Sequence, residues 1–174
     1  MATWLQTIWA WRPLIYVIGE SNCGKTSLFE TLGGKNGRLG MFGNLAFSGA
    51  KSSEAGIRQG IGNTARTILL DEFEKSKDRD KILETLRASS RGDTVTKGTA
   101  GHKSRSFTMQ HMSWLAAIES GLNRQPDINR FIKLSLESAT AAEFGKLVAP
   151  SVAESIDLGQ KLLAIALVNA MRCC

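Results

Sequence analysis

The chain carries a run of residues that could hold a triphosphate: residues 19–26 read Gly-Glu-Ser-Asn-Cys-Gly-Lys-Thr. The run follows the apolar segment 14–18, which predicts a buried strand, and precedes the apolar-patterned segment 27–32, which predicts a helix. Glycine lets the backbone curl around phosphate oxygens, so that N–H groups and the helix N-terminus point at the anion. The spacing therefore predicts a phosphate-binding loop (P-loop), in which Lys25 reaches the β- and γ-phosphates and the Thr26 hydroxyl holds Mg²⁺.

The ligand expected at this loop is a nucleoside triphosphate with Mg²⁺; its assignment as ATP rests on the absence of a guanine-specifying motif and on the family resemblance given below. The alternative is a glycine turn that binds nothing. The predicted nucleotide-binding residues are Gly19, Glu20, Ser21, Asn22, Cys23, Gly24, Lys25, Thr26 and Ser27.

Two adjacent carboxylates, Asp71 and Glu72, follow the apolar run 67–70, which predicts a second buried strand. This is the pattern of a Walker B motif, in which Asp71 holds Mg²⁺ through water and Glu72 orients and deprotonates the attacking water. Because side chains alternate along a strand, we expect the two acids to take different roles. The alternative is a buried strand that ends in an acidic turn. A tandem Asp-Glu favours hydrolysis over phosphoryl transfer to a small metabolite.

The elements that must position these residues are predicted from apolar periodicity and from capping residues. The glycine-rich stretch 33–49 predicts loops around a short strand near 44–48, and 78–89 predicts a helix. A serine-capped helix is predicted over 52–59, and its Arg58 either contacts the nucleotide or a neighbouring subunit, or is solvated. Further strands are predicted at 114–118 and 129–136.

A basic hairpin is predicted over residues 93–109, between the strands predicted at 67–70 and 114–118. The reason is that β-branched residues alternate on both sides of the glycine turn 100–103. Between Arg87 and Arg105 the chain has five basic side chains and one acidic one. A projecting loop with this excess can bind nucleic-acid phosphates, and the alternative is a solvated polar hairpin. The five basic residues are Arg87, Arg91, Lys97, Lys103 and Arg105.

In this order the motifs resemble the superfamily 3 helicase ATPase domain, in the form found in phage and plasmid primase–helicases. The residues that carry the resemblance span most of 14–136. They are GESNCGKT (19–26), SEAGIRQGIGN (53–63), TILLDEFEK (67–75), VTKGTAGHKS (95–104) and PDINRFIKL (126–134). The resemblance implies an α/β P-loop NTPase fold of the AAA+ type, with a mostly parallel central sheet flanked by helices and a β-hairpin inserted before the fourth core strand. It also implies a homo-oligomeric ring, a hexamer in that family.

The resemblance also assigns roles to residues outside the two nucleotide motifs. The hairpin tip, here His102 and Lys103, would line a central channel and move single-stranded DNA during ATP hydrolysis, with Lys97 and Arg105 beside it. Arg130 would act as an arginine finger that reaches into a neighbouring subunit's nucleotide; the alternative is an ordinary surface arginine.

One position departs from the family's pattern. The family usually ends its fourth core strand with a neutral polar sensor, whereas this chain has Glu119 followed by Ser120. A carboxylate beside a γ-phosphate is repulsive. We therefore expect that Ser120 or Asn123 takes the sensor role, or that turnover is weak.

Length and composition predict one ATPase domain over residues 1–174. It divides into an apolar helix over 1–12, an ATPase core over 14–136 and two helices within 141–172, and it could be a fragment or remnant of a longer primase–helicase. Three cysteines without a disulfide or zinc spacing, and no signal peptide, predict a reducing compartment, which the resemblance to phage and plasmid proteins implies is the cytoplasm of a bacterial or phage-infected cell. The longest apolar run, 162–168, is too short to cross a membrane, so no membrane partner is expected.

Three functions follow from these residues. The first is an ATP-driven DNA translocase or helicase used in replication, with single-stranded DNA and a primase or other replication domain as partners. The second is an ATP-dependent assembly or switch protein on DNA that does not unwind it. The third is a small-molecule P-loop kinase, which the Asp71-Glu72 tandem disfavours.

Overall fold

The computed structural model describes residues 6, 9–49, 52–76, 78–98, 104–138 and 150–172. Numbered along the chain, the strands within these ranges are β1 (Leu14–Ile18), β2 (Gly34–Lys35), β3 (Arg38–Leu39), β4 (Ala46–Ser48), β5 (Thr67–Leu70), β6 (Thr94–Gly98), β7 (Ser104–Thr108), β8 (Ser113–Ala117) and β9 (Phe131–Ser135). The helices are α1 (Lys25–Gly33), α2 (Glu54–Ile61), α3 (Arg79–Arg91), α4 (Gln125–Ile128) and α5 (Val152–Arg172).

Five strands form a central parallel sheet in the order β4-β5-β8-β1-β9. Strand β8 therefore lies between β1, which leads into the predicted P-loop, and β5, which leads into Asp71. The register places Ile18 opposite Ala117 and Leu70 opposite Leu115. Because all five strands run in one direction, the residues that follow β1, β5 and β8 meet at the carboxyl edge of the sheet.

Side chains on both faces of the sheet are buried, which is why its strands read as nearly continuous apolar runs. On one face Leu14 and Tyr16 of β1 belong to a core that includes Ile57 of α2 and Leu86 of α3. On the other face Ile15 and Val17 pack with Phe29 and Leu32 of α1. Helices thus cover both faces, and the prediction of a parallel sheet flanked by helices is confirmed.

The β-hairpin inserted before the fourth core strand is also confirmed. Strands β6 and β7 pair antiparallel, with Thr94 opposite Thr108 and Gly98 opposite Ser104. The chain then enters β8, which is the fourth strand of the central sheet in chain order.

Two sequence predictions of local structure are wrong. The apolar helix predicted over 1–12 fails at residues 9–12, which are not helical, since Arg12 precedes a proline and a residue in that position avoids helical backbone; residues 1–5 and 7–8 lie outside the described part of the chain. The stretch after the P-loop is also more regular than predicted. Helix α1 continues to Gly33, and β2 and β3 form a short antiparallel hairpin around the turn 36–37.

The carboxyl-terminal helix α5 confirms the helix predicted in this region over 152–171, and the predicted helix over 141–148 lies outside the described residues. Ser155 and Ala166 of α5 are buried, but several of its large apolar side chains are exposed. These are Val152, Leu158, Ile165, Leu167 and Val168. Within the ranges that the structure covers, no helix has the length and apolar character needed to cross a membrane.

Candidate functional site

The P-loop sequence forms a turn between β1 and the N-terminus of α1. Asn22 and Gly24 both adopt left-handed backbone, with φ of 64° and 89°, and Gly24 is the N-cap of α1. No side chain caps that end of the helix, because glycine has none. The N–H groups of the first helical turn are therefore available to an anion, and the positive end of the helix dipole favours one there.

Lys25 lies across this loop. Its Nζ donates hydrogen bonds to the carbonyl oxygens of Gly19 and Glu20, both at 2.6 Å, and lies 3.5 Å from Cys23 Sγ. The Lys25 ammonium group is thus held against the loop backbone by carbonyl oxygens. Phosphate oxygens, which carry charge, are stronger acceptors than these carbonyls and can replace them.

The two predicted Mg²⁺ ligands are in direct contact. Thr26 Oγ1 donates a 2.8 Å hydrogen bond to Asp71 Oδ2, although the two residues lie on different sides of β8. Among the described residues no group of three or more His, Cys, Asp or Glu side chains could hold a metal ion. A hydroxyl and one carboxylate nevertheless fit Mg²⁺, which prefers oxygen ligands and takes its remaining ones from substrate phosphates and water.

Glu72 lies at the turn that follows β5. Its φ is 50°, a left-handed conformation that is strained for a residue with a long side chain, and such strain concentrates at functional sites. Its N–H donates to Asp71 Oδ1 at 2.8 Å, and its carboxylate lies 2.7 Å from Lys75 Nζ. This hydrogen bond raises the pKa of Lys75. Strand β5 ends at Leu70, so Asp71 and Glu72 lie in the turn that follows it, and the different roles of the two acids stay a prediction.

The loop after β8 holds the three sensor candidates between the P-loop and the Walker B turn. Glu119 and Asn123 are exposed, and Ser120 is half-buried. The carbonyl oxygen of Ser120 accepts a hydrogen bond from Arg79 Nη2, and the Arg79 guanidinium lies 5.7 Å from the centre of the Phe73 ring. Arg79 therefore joins the loop 118–124, which we call the sensor loop after its candidate residues, to the turn that follows β5.

Sequence reasoning missed Arg79, which stands at the start of a helix among acidic residues and shows no signal of its contacts. Tyr16 of β1 is fully buried, and burial raises the pKa of its phenol to about 12. The phenol is therefore neutral near pH 7 and is not available as a base. The carboxylates of Glu72 and Glu119 are both exposed at this edge.

Arg130 lies at the opposite edge of the sheet. It precedes β9, whose Phe131 is opposite Leu14 and whose Ser135 is opposite Ile18. Five strand residues at about 3.3 Å each separate Arg130 from the level of its own P-loop, a distance of about 16 Å. Its Nη1 donates to the carbonyl oxygen of Pro126 at 2.7 Å. The structure therefore does not bring Arg130 to the nucleotide site of its own chain.

The predicted DNA-binding residues lie on the hairpin of β6 and β7. Lys97 is opposite Arg105 in its register, and their side chains, together with His102 and Lys103, lie outside the part of the chain that the structure describes. Phe107 of the hairpin lies 5.2 Å from the Arg58 guanidinium, and Thr108 N–H donates to Asn63 Oδ1 at 2.9 Å.

Three arginines have partners that the sequence did not indicate. Arg58 is only 8 % exposed and its Nε lies 3.2 Å from Glu54 Oε1, so the prediction that it is solvated is wrong. Arg87 pairs with Asp127 at 3.2 Å, and Arg91 donates to Asp93 at 2.9 Å. Because Arg87 and Arg91 are paired with carboxylates, they no longer count toward the five basic residues around the hairpin. The remaining three are Lys97, Lys103 and Arg105.

The geometry thus brings together the P-loop, Thr26, Asp71 and Glu72, places the sensor candidates beside them, and keeps Arg130 apart. Comparison of the sequence with protein-family models and with curated proteins gives no match.

Proposed function

We propose that this chain is an ATP-hydrolysing, ring-forming DNA translocase or helicase with a P-loop NTPase fold of the AAA+ type. The observation that carries the proposal is the 2.8 Å contact between Thr26 Oγ1 and Asp71 Oδ2. It joins two motifs that are distant in the sequence into one donor set, directly beside the Lys25 ammonium and the uncapped N-terminus of α1.

The roles of the residues follow from their positions. Lys25 and the N–H groups of the loop bind the phosphates of ATP, and Thr26 and Asp71 would hold Mg²⁺. When bound, the ion neutralises charge on the phosphate oxygens. Glu72 accepts a proton from the water that attacks the γ-phosphorus, and the bond from that phosphorus to the β–γ bridging oxygen breaks, which gives ADP and phosphate.

Arg130 supports a ring. An arginine about 16 Å from its own P-loop can stabilise a transferring phosphoryl group only in another subunit. A head-to-tail ring repeats that contact at every interface. The β6–β7 hairpin supports a DNA partner, because Lys97 and Arg105 are paired across its two strands beside the basic turn.

The test is steady-state ATP hydrolysis with and without single-stranded DNA, over a range of protein concentrations. We expect stimulation by DNA, a steep dependence on protein concentration and a loss of activity in Arg130→Ala. Lys25→Ala is expected to abolish nucleotide-dependent activity altogether. Hydrolysis in Lys25→Ala would refute the P-loop assignment. A hydrolysis rate that is the same with and without DNA would refute the translocase function.

One observation favours a second candidate, an ATP-dependent switch on DNA that does not unwind it. Glu119 is exposed two residues after the end of β8, where a neutral sensor is expected, and a carboxylate there repels the γ-phosphate. This predicts slow turnover with a long-lived ATP state. Strand displacement separates the two candidates: a translocase of the proposed kind displaces a duplex strand in the presence of ATP, and a switch only changes its affinity for DNA.

A further inference from the structure

The only buried carboxylate among the described residues is Asp127, which is 3 % exposed. It belongs to the short helix α4, and its Oδ1 lies 3.2 Å from Nε of Arg87 on α3. A buried carboxylate is costly unless it is paired, and the partner here, Arg87, has a side chain that is 20 % exposed and whose Nε also donates to the Leu83 carbonyl oxygen at 3.3 Å. The pair therefore calls for an explanation other than packing.

Asp127 is part of the turn that carries Arg130. The Arg130 N–H donates to the Asp127 carbonyl oxygen at 3.0 Å, and Arg130 Nη1 donates to the Pro126 carbonyl oxygen at 2.7 Å. Gln125 Nε2 donates to Asn129 Oδ1 at 2.8 Å across the same turn. The position of the Arg130 guanidinium is thus set by a compact turn, which is joined to β1 by the hydrogen bond from Leu14 N–H to the Arg130 carbonyl oxygen at 3.3 Å and to α3 by the ion pair of Asp127 with Arg87.

The other partner stands on a rigid element. Helix α3 is fixed to the core by buried Ile82 and Leu86, and its first residue, Arg79, contacts the sensor loop. Arg87 lies eight residues further on, about 12 Å along the helix at 1.5 Å per residue. One helix therefore holds both the sensor loop of the nucleotide site and the turn that presents Arg130.

We propose that Arg87 and Asp127 are positioning residues for Arg130, which hold its turn so that the guanidinium reaches the nucleotide of the neighbouring subunit. The proposal rests on the function proposed above. Neither residue touches the nucleotide; they act through the 124–130 turn. Loss of the pair leaves the P-loop of the same subunit intact and displaces the arginine that this subunit offers to its neighbour.

The decisive experiment mixes two defective subunits. Asp127→Asn retains its P-loop but presents Arg130 poorly, and Lys25→Ala retains its arginine but has no working P-loop. Lys25→Ala alone is expected to show no hydrolysis, and Asp127→Asn alone to hydrolyse ATP about 100-fold more slowly than the wild type, since a displacement of about 1 Å at a catalytic group has that effect. In an equal mixture about a quarter of the interfaces combine the two intact halves, so activity should return to about a quarter of the wild-type rate.

The mixture of Arg130→Ala with Lys25→Ala separates failure of this proposal from failure of the proposed function. If that mixture regains activity and the Asp127→Asn mixture does not, the positioning role is wrong. If neither mixture regains activity, the arginine finger itself is wrong. The Asp127→Asn subunits should also keep the wild-type KM for ATP and lose kcat, whereas a damaged nucleotide site would raise KM.

Two further variants guard against loss of folding. Asp157→Asn makes the same substitution in an exposed ion pair with Lys161, 2.6 Å apart on α5, and is expected to hydrolyse ATP at the wild-type rate. If Asp127→Asn does not fold, the double variant Arg87→Met/Asp127→Leu removes the ion pair and replaces both side chains with apolar groups. It should show the same defect and the same rescue in the mixture, and wild-type hydrolysis by the double variant alone would overturn the proposal.

Discussion

Replacement of Gly24 by alanine tests whether the phosphate loop works in the conformation seen here. Gly24 has φ of 89°, and a Cβ added to it would meet no atom within 4 Å. The substitution therefore adds backbone strain without a steric clash. Gly37, in the turn between β2 and β3, has φ of 79° and the same open surroundings. It provides a matched control, because it carries the same strain outside the predicted nucleotide-binding residues.

The size of the expected loss of affinity follows from the left-handed backbone at residue 24. An alanine in this region is less stable than glycine by about 1–2 kcal/mol. In the free protein the Gly24→Ala loop can relax to another conformation, and phosphate binding must restore the left-handed one. Affinity for Mg²⁺-ATP is therefore expected to fall by a factor of about 5–30, since about 1.4 kcal/mol corresponds to a factor of ten. In Gly37→Ala the same strain lowers only the free energy of unfolding.

Isothermal titration of Mg²⁺-ATP into the wild type and the two variants measures the affinities, and chemical denaturation measures the stabilities. We expect weak binding with nearly wild-type stability in Gly24→Ala, and wild-type binding with a stability loss of about 1–2 kcal/mol in Gly37→Ala. Wild-type affinity in Gly24→Ala would refute the reasoning, because the loop would then not need left-handed backbone at residue 24 to bind phosphate. An equal loss of affinity in Gly37→Ala would show that the effect is global.

Two other predictions concern the hairpin and the core. Lys103→Ala should weaken binding of single-stranded DNA and reduce the slope of its salt dependence by about 0.7, with basal hydrolysis nearly intact; unchanged affinity at two salt concentrations would mean that the basic turn is merely solvated. Burial lowers the pKa of His111 from 6.5 to about 4, and its Nδ1 lies 2.8 Å from the Arg66 carbonyl oxygen. Because the unfolded chain takes up this proton at higher pH than the folded one, stability present above pH 6.5 should fall by about 3 kcal/mol as the pH drops to 4. Urea denaturation across this range should show that loss in the wild type. If the free energy of unfolding of His111→Phe falls with pH as steeply as that of the wild type, the prediction is contradicted.

The sequence predicted the elements whose signals are local. The bounds of β1 are as predicted, and α2 is preceded by the N-cap Ser53, whose side chain accepts a hydrogen bond from Gly56 N–H. Helix α3 follows Asp78, the predicted first residue, because apolar residues at helical spacing face the core. Asn36-Gly37 is a hairpin signal as well, but β2 and β3 are too short to show alternation, so this hairpin was not predicted.

The contacts of the arginines were beyond prediction for a physical reason. Arg58, Arg79 and Arg87 each lie on a helix whose local pattern allows an exposed position. Their partners, Phe107, the Ser120 carbonyl and Asp127, lie 49, 41 and 40 residues away in the chain and meet them only through the order of the strands. That order depends on long-range pairing, which the types of the residues do not encode locally.

The order of the strands also bears on what one subunit can do alone. Placing β8 between β1 and β5 gathers the P-loop, Asp71 and Glu72 at the carboxyl edge of the sheet, while the parallel pairing of β9 with β1 fixes Arg130 at the amino edge. No rotation of the Arg130 side chain covers the length of a strand. Under the proposed function a monomer therefore binds ATP and hydrolyses it slowly, and fast hydrolysis requires a second copy. The rate per subunit should rise with protein concentration in the wild type and stay flat in Arg130→Ala, because only the wild type gains a catalytic group from its neighbour.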